Sequence, residues 1–206
     1  MTRIIAGRAG GRRIAVPPSG TRPTSDRVRE ALFSALTADP GLEGAAVLDL
    51  CAGSGALGLE ALSRGAAYAL FVESDRRAAG VLRRNVAALG LPGATVRAAS
   101  AAAVLGGPAD RAYDVVLVDP PYATPDGEVA GWLADAYAHG WLAADAVVVV
   151  ERGRGPGRCG GAFPWPPPLV ALRERRYGDT VLHMGVVPDV PAHETRHDRH
   201  TATPAG

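Results

Sequence analysis

"AVLDLCAGSGALGLEALSRG", residues 46–65, joins a short apolar run to a glycine-rich turn and then to a helical pattern. Residues 46–50 read as a strand buried on both faces, because apolar residues stand on both sides of Asp49. Gly53-x-Gly55-x-x-Gly58 follows at once and opens the helix predicted over 56–64. Glycines at such a junction let the backbone pass close to a ligand and leave the helix N-terminus free to face it. The same device serves dinucleotide-binding folds, so the surroundings of the turn decide its meaning.

Downstream of this unit, strands predicted at 68–73, 94–98, 113–119 and 146–151 alternate with amphipathic helices over 75–89 and 127–138. Unalternated strands separated by such helices imply a parallel sheet covered on both faces, an α/β fold. Two further extended runs, "LVALRERRY" and "TVLHMGV", meet at Gly178-Asp179 and predict a closing antiparallel hairpin. Upstream, residues 3–6 and 12–16 flank "GRAGG" as an N-terminal β-hairpin. "RPTSDRVREALFSAL" then reads as a helix with Thr24 or Ser25 as its N-cap. The stretch 153–168 is a Gly/Pro loop whose Phe163 and Trp165 are expected to pack over the sheet. The tail beyond Pro188, with His193, His197 and His200, reads as disordered.

The chain has 206 residues, two cysteines far apart (Cys51 and Cys159), and a formal net charge of +1. No run approaches the ~18 apolar residues of a membrane span, and "MTRIIAGRAGG" lacks a signal-peptide core. A cytoplasmic, reduced protein without a metal site is the expectation. Net charge does not announce a nucleic-acid binder, but its distribution does. Arg3, Arg8, Arg12, Arg13, Arg22, Arg27 and Arg29 fall in the first 29 residues against Asp26 alone. A basic end of that kind is an electrostatic footprint for phosphates, with Arg3, Arg8, Arg12 and Arg13 as the candidate nucleic-acid contacts.

Three features around the glycine turn carry chemistry. Glu73 ends the second strand, twenty residues after Gly53, where a carboxylate can accept from ribose hydroxyls. Asp49 ends the first strand, placed either to order the loop or to meet a ligand's ammonium. "VLVDPPY", 116–122, ends the fourth strand at the same rim. Proline fixes its own φ, lacks an N–H and pushes the preceding residue to extended geometry. Asp119 and the neighbouring Pro120 carbonyl therefore form a stiff two-pronged acceptor for the hydrogens of an –NH2 group. Tyr122 offers a face on which a planar base can stack, worth ~1–3 kcal/mol. An NAD-dependent oxidoreductase is the competing class. It fits poorly, because "DLCA" stands before the first glycine and the chain contains no lysine.

These pieces resemble a class I S-adenosylmethionine-dependent methyltransferase of the amino-methylating kind, whose signature is [D/N]-P-P-[Y/F]. More closely, "RPTSDRVREALFSAL", "DLCAGSGALGLEALSRGA", "VESD", "DPPY" and "ERRYGDT" resemble the RsmD family of 16S rRNA guanine-N2 methyltransferases, in order and spacing over residues 2–187. The resemblance implies a Rossmann-like, seven-stranded, mostly parallel sheet whose last strand is antiparallel. It divides the chain into an RNA-facing hairpin and helix (1–40), a methyltransferase domain (41–187) and a tail (188–206). It implies S-adenosyl-L-methionine as donor, S-adenosyl-L-homocysteine as product, and 16S rRNA in the 30S subunit or an assembly intermediate as partner. The target is then the exocyclic N2 of a guanine, number 966 in the rRNA, and the enzyme a monomer. DNA or other RNA amino-methylation, at adenine N6 or cytosine N4, is the alternative.

Carried onto this chain, the resemblance puts Asp49, Ala52, Gly53 and Gly55 along the methionine part of the cofactor. Glu73 would lie on its ribose, and Thr24 in a segment beside it. Asp119, Pro120 and Tyr122 would hold the target base. The family's acid for the adenine amino group is replaced by Ser100, which can accept one hydrogen bond at a loss of ~1 kcal/mol. Cys51 replaces a customary aromatic and reads as a small, unreactive residue.

Overall fold

The structure, a computed structural model, describes residues 1–17, 25–153 and 162–188. Arg22, Thr24, half of the predicted 153–168 loop (154–161) and the histidines of the tail lie outside the described residues.

Among the described residues, nine strands and five α-helices follow one another. The two-residue strands β1 (Thr2–Arg3) and β2 (Arg13–Ile14) pair antiparallel across a 3-10 turn at Gly7–Ala9. They are shorter than predicted. Ser25 is the N-cap of α1 (Asp26–Ala38), accepting from the Val28 amide at 3.3 Å. β3 (Ala46–Leu50), α2 (Ala56–Ser63), β4 (Tyr68–Val72), α3 (Arg76–Leu89) and β5 (Ala94–Arg97) come next. After them stand α4 (Ala101–Leu105), β6 (Tyr113–Val118), α5 (Asp126–Ala138), β7 (Leu142–Gly153), β8 (Val170–Tyr177) and β9 (Thr180–Val186).

The seven long strands form one sheet in the order β5-β4-β3-β6-β7-β9-β8. β3, β4, β5, β6 and β7 run parallel, and β9 inserts antiparallel between β7 and β8. The final strand is thus antiparallel, as the resemblance implied, and it leaves β8 at the edge. β8 carries Arg173, Glu174, Arg175 and Arg176, charges that blunt an edge against pairing with another chain.

Alternation sends every second strand residue to one face. Val47, Phe71, Leu117 and Val149 belong to a cluster with Leu32 and Phe33 of α1, Leu59 of α2, Leu82 of α3, and Ile4 and Ile14 of the hairpin. Leu48, Leu70, Val116 and Val148 face α4 and α5 in a second cluster with Trp141. Phe163 and Trp165 join that second cluster, edge to face at 4.8 Å, so they pack over the sheet as expected.

The hairpin is bolted to the first face through buried polar groups. Glu60 of α2, fully buried, accepts from the Ile5 and Ala6 amides at 2.6 and 3.0 Å and from Arg64 Nε at 2.7 Å. Asn85 of α3 accepts from the Ala15 amide at 2.9 Å and donates to the Ala15 and Ser54 carbonyls. One side chain therefore ties the segment leaving the hairpin to the glycine turn. Among the described residues, no helix is long and apolar enough to cross a membrane.

Candidate active site

In the sheet order, β3 has β4 on one side and β6 on the other. Connections leave β3 in one direction and return to β6 in the opposite one. That reversal opens a crevice at the carboxyl ends of the two strands, where ligands bind in open α/β sheets. Leu50 is opposite Val118 in the register, and the Asp119 amide approaches the Leu50 carbonyl at 3.4 Å. The glycine turn and the Asp119–Tyr122 segment are thereby neighbours across one cleft.

The turn is built by its backbone. The Ala52 amide donates to the Val72 carbonyl at 3.0 Å, and the Gly55 amide to the Ala52 carbonyl at 2.7 Å. Gly53 and Gly55 both take left-handed φ values, 54° and 82°. Their surroundings differ. A Cβ on Gly55 would lie 2.3 Å from Leu82 Cδ1, whereas on Gly53 the nearest atom would be 4.0 Å away. Gly55 is needed by the core, and Gly53 presents bare backbone to open space on the crevice side.

Asp49 is 1 % exposed, and its two oxygens do different things. Oδ2 accepts from the Gly58 amide at 2.9 Å, in the first turn of α2. Oδ1 is buried without a hydrogen-bond partner among the described residues. The two roles open to Asp49 in the sequence, ordering the loop and meeting a cation, are thus compatible on one side chain. Burial, opposed by the Gly58 hydrogen bond and assisted by Glu73, pushes its carboxyl up to about 7. Glu73 is also buried. It accepts from the Gly53 amide at 2.8 Å and from the Asp75 amide at 2.7 Å, clamping the glycine turn to the start of α3. Each of its oxygens keeps a lone pair for a hydroxyl.

Cys51 takes φ 60°. Its thiol is pushed up to about 12, first by burial and then by the negative fields of Glu73, Asp119, Asp49 and Glu128. All four carboxylates therefore lie within electrostatic reach of the Cys51 side chain. At such a value the thiol stays protonated and inert at neutral pH. Pro120 is buried, and Tyr122 is 48 % exposed.

Other sequence candidates have structural employment. Ser100 caps α4, its Oγ accepting from the Ala103 amide at 3.2 Å. Arg3 pairs with Asp26 at 3.2 Å. Arg12 donates to the Leu89 carbonyl at 2.8 Å and to the Ala88 carbonyl, closing the C-terminal end of α3. Arg29 is buried, holding the Arg3 carbonyl at 2.5 Å and Asp26 at 2.8 Å. Arg8 and Arg13 are exposed, without an ion pair among the described residues. The outer face of α3 adds Arg76, Arg77, Arg83 and Arg84, all exposed, on a helix that contains no acid. The docking of the hairpin against α3, through Arg12 and Asn85, brings the two arginine-bearing elements together.

Comparison with known proteins agrees with this geometry. The family model described as conserved hypothetical protein 95 matches residues 2–186. The Escherichia coli protein named ribosomal RNA small subunit methyltransferase D is 44% identical over 151 residues, 72% of this chain and 73% of the relative. The Haemophilus influenzae protein of the same name is 39% identical over 153 residues, 72% and 77% of the two chains. The solved structure of the Escherichia coli protein yhhF superposes with a TM-score of 0.78 at 37% identity, covering 91% of this chain and 98% of that one. The donor set fits what the fold implies, since a buried carboxylate oxygen awaits a cation and bare backbone at Gly53 admits a close approach. With its matched model spanning hairpin, glycine turn and final strand, the chain belongs to the ribosomal RNA small subunit methyltransferase D family, the RsmD group of class I methyltransferases.

Proposed function

We propose that the protein transfers a methyl group from S-adenosyl-L-methionine to the exocyclic N2 of a guanine in small-subunit rRNA, guanine 966 of 16S rRNA, releasing S-adenosyl-L-homocysteine. It acts in the cytoplasm, as a monomer, on the 30S subunit or an assembly intermediate. The observation that carries this reading is that Asp49, Glu73 and Asp119 stand at the carboxyl ends of the adjacent strands β3, β4 and β6, where the sheet order reverses.

Bound there, the cofactor supplies an electrophilic methyl on a sulfonium. Asp49 Oδ1 would receive the amino acid ammonium, Glu73 a ribose hydroxyl, and the Ala52–Gly55 backbone would border the methionine part. Ser100, through its remaining hydroxyl capacity, would complete the cofactor set, together with Thr24, which lies outside the described residues. A conjugated base amine is a poor nucleophile because its lone pair is shared with the ring. Asp119 and the Pro120 carbonyl accept its two hydrogens, return density to nitrogen, and align it for in-line attack. Nitrogen gaining the methyl as the sulfonium C–S bond breaks would become cationic and acidic, and its proton would pass to the Asp119 carboxylate and on to water, so Asp119 need not be a strong base. Tyr122 stacks the base. The hairpin and α3, with Arg8, Arg13 and the four α3 arginines, meet phosphates, while Arg3 and Arg12 serve mainly to fix them in place.

Nucleoside mass spectrometry of 16S rRNA from cells with and without the gene tests this, together with tritiated methyl transfer to deficient small subunits. N2-methylguanosine lost with the gene and restored by the protein is expected. Label entering free DNA and not the particle would overturn the proposal. Asp119→Ala should abolish transfer, by 100-fold or more on the order of a lost transition-state contact, with adenosylhomocysteine affinity kept within about threefold.

A further inference from the structure

We infer that Arg152 and Gly153, at the carboxyl end of β7, are positioning residues that hold the Asp119–Tyr122 acceptor in its working shape. The inference rests on the role proposed above for that segment.

The geometry begins at Gly153. A Cβ built there would stand 2.2 Å from Tyr122 Cε1, 2.7 Å from Cδ1 and 3.1 Å from Cζ. The phenol ring therefore lies directly against the β7 backbone. Gly153 is not among the glycines with a left-handed φ, so the obstacle to a side chain is space, and the three nearest atoms all belong to the Tyr122 ring. With one side on the strand and 48 % of the residue exposed, the ring is a fixed shelf with an open face. A free tyrosine would have to be immobilised when a base stacks on it, whereas this one is ordered in advance.

Arg152 secures the other end of the same segment. Its side chain is 4 % exposed. Nη2 donates to the Thr124 carbonyl at 2.5 Å, and Nε lies 2.8 Å from Asp126 Oδ1. The Thr124 amide in turn donates to the Pro121 carbonyl at 2.9 Å, closing a turn over Pro121–Thr124. One guanidinium thus joins the end of that turn to the first residue of α5. A buried cation is costly to desolvate and is retained where several partners hold it. Here the partners belong to the stretch that carries Asp119 and Tyr122 into α5. Pro120 and Pro121 stiffen the segment internally, and β7 anchors it externally. In the sequence, "VVVVERG" reads only as a strand end, because the contact partners lie 26 to 31 positions earlier.

The test is a double-mutant cycle on the full-length protein with methyl-deficient small subunits. Gly153→Ala is expected to lower kcat on the order of 100-fold, as a roughly 1 Å displacement of a reacting geometry does. Adenosylhomocysteine affinity by calorimetry should stay within twofold, which also shows that the variant is folded. In a Tyr122→Ala background the same change should cost less than about threefold, because the ring it displaces is gone. Arg152→Gln should lower kcat with KM for cofactor kept, and Arg152→Lys should recover part of the loss. An active wild type whose Gly153→Ala variant keeps full kcat overturns the inference alone. So does a Gly153→Ala loss that persists undiminished without Tyr122. A wild type that labels no particle overturns the proposed function and this inference together.

Discussion

Asp49 makes an acid with inverted behaviour, and Asp49→Asn exposes it. With a folded-state carboxyl pushed up to about 7 against about 4 in an unfolded chain, the folded protein binds the proton more tightly. Stability from this group is therefore greatest below about pH 4, falls as pH rises through the window from about 4 to about 7, and is flat above it. Each pH unit inside the window costs ~1.4 kcal/mol, so the ionised group at pH 8 costs on the order of 4 kcal/mol. Burial at 1 % exposure leaves little solvent screening to reduce that figure. Between pH 5 and pH 8 the loss is about 3 kcal/mol. Asn keeps an acceptor for the Gly58 amide, which now bonds Oδ2 at 2.9 Å, but it has no charge to desolvate. His183, whose ring burial lowers its proton affinity, acts with the opposite sign: its stability is lost as pH falls. It is common to both proteins and cancels in the comparison. Urea denaturation at pH 5 and pH 8 should show the variant losing about 3 kcal/mol less than the wild type on going to the higher pH. The variant should bind adenosylhomocysteine more weakly, and the wild type alone should release a proton on binding, seen by calorimetry at pH 7 in two buffers. Identical pH dependence of stability in the two proteins refutes the reasoning.

Two further predictions separate packing from function. Gly55→Ala should cost roughly 2–4 kcal/mol of stability, from its left-handed φ and the collision with Leu82. Gly53→Ala should cost only about 1 kcal/mol yet weaken adenosylhomocysteine binding about tenfold; paired denaturation and calorimetry distinguish them, and equal stability losses would contradict the assignment. Glu60→Ala should lose roughly 3–5 kcal/mol in urea denaturation, since two hairpin amides and Arg64 lose their buried partner; a loss under about 1 kcal/mol would show that the hairpin is held by its apolar side chains alone.

Where chain neighbours supply the interaction, the reading from sequence was close. Ser25 and the Gly178 turn stand where local capping and hairpin chemistry put them. α4 escaped because five residues, "AAAVL", are too short for periodicity, and its cap Ser100 was read as a ligand contact. β7 begins at Leu142, four residues earlier than the apolar run suggested. Asp145 takes φ 58°, and the pairing with β6 jumps from Tyr113–Leu142 to Val115–Val147, a bulge that no strand pattern announces.

By itself the sequence determined the alternation of strands and helices, the glycine turn, and the stiffness of Asp119–Tyr122, because strand periodicity, left-handed φ and proline geometry act over a few residues. Tertiary structure alone decided that β9 slides between β7 and β8. It also decided that Arg12 and Arg29 hold backbone carbonyls, that Asp49 keeps one oxygen in reserve, and that Gly153 lies beneath Tyr122. Those outcomes depend on which distant groups share a desolvated space, and burial, which sets their energies, exists only once the sheet has closed around them.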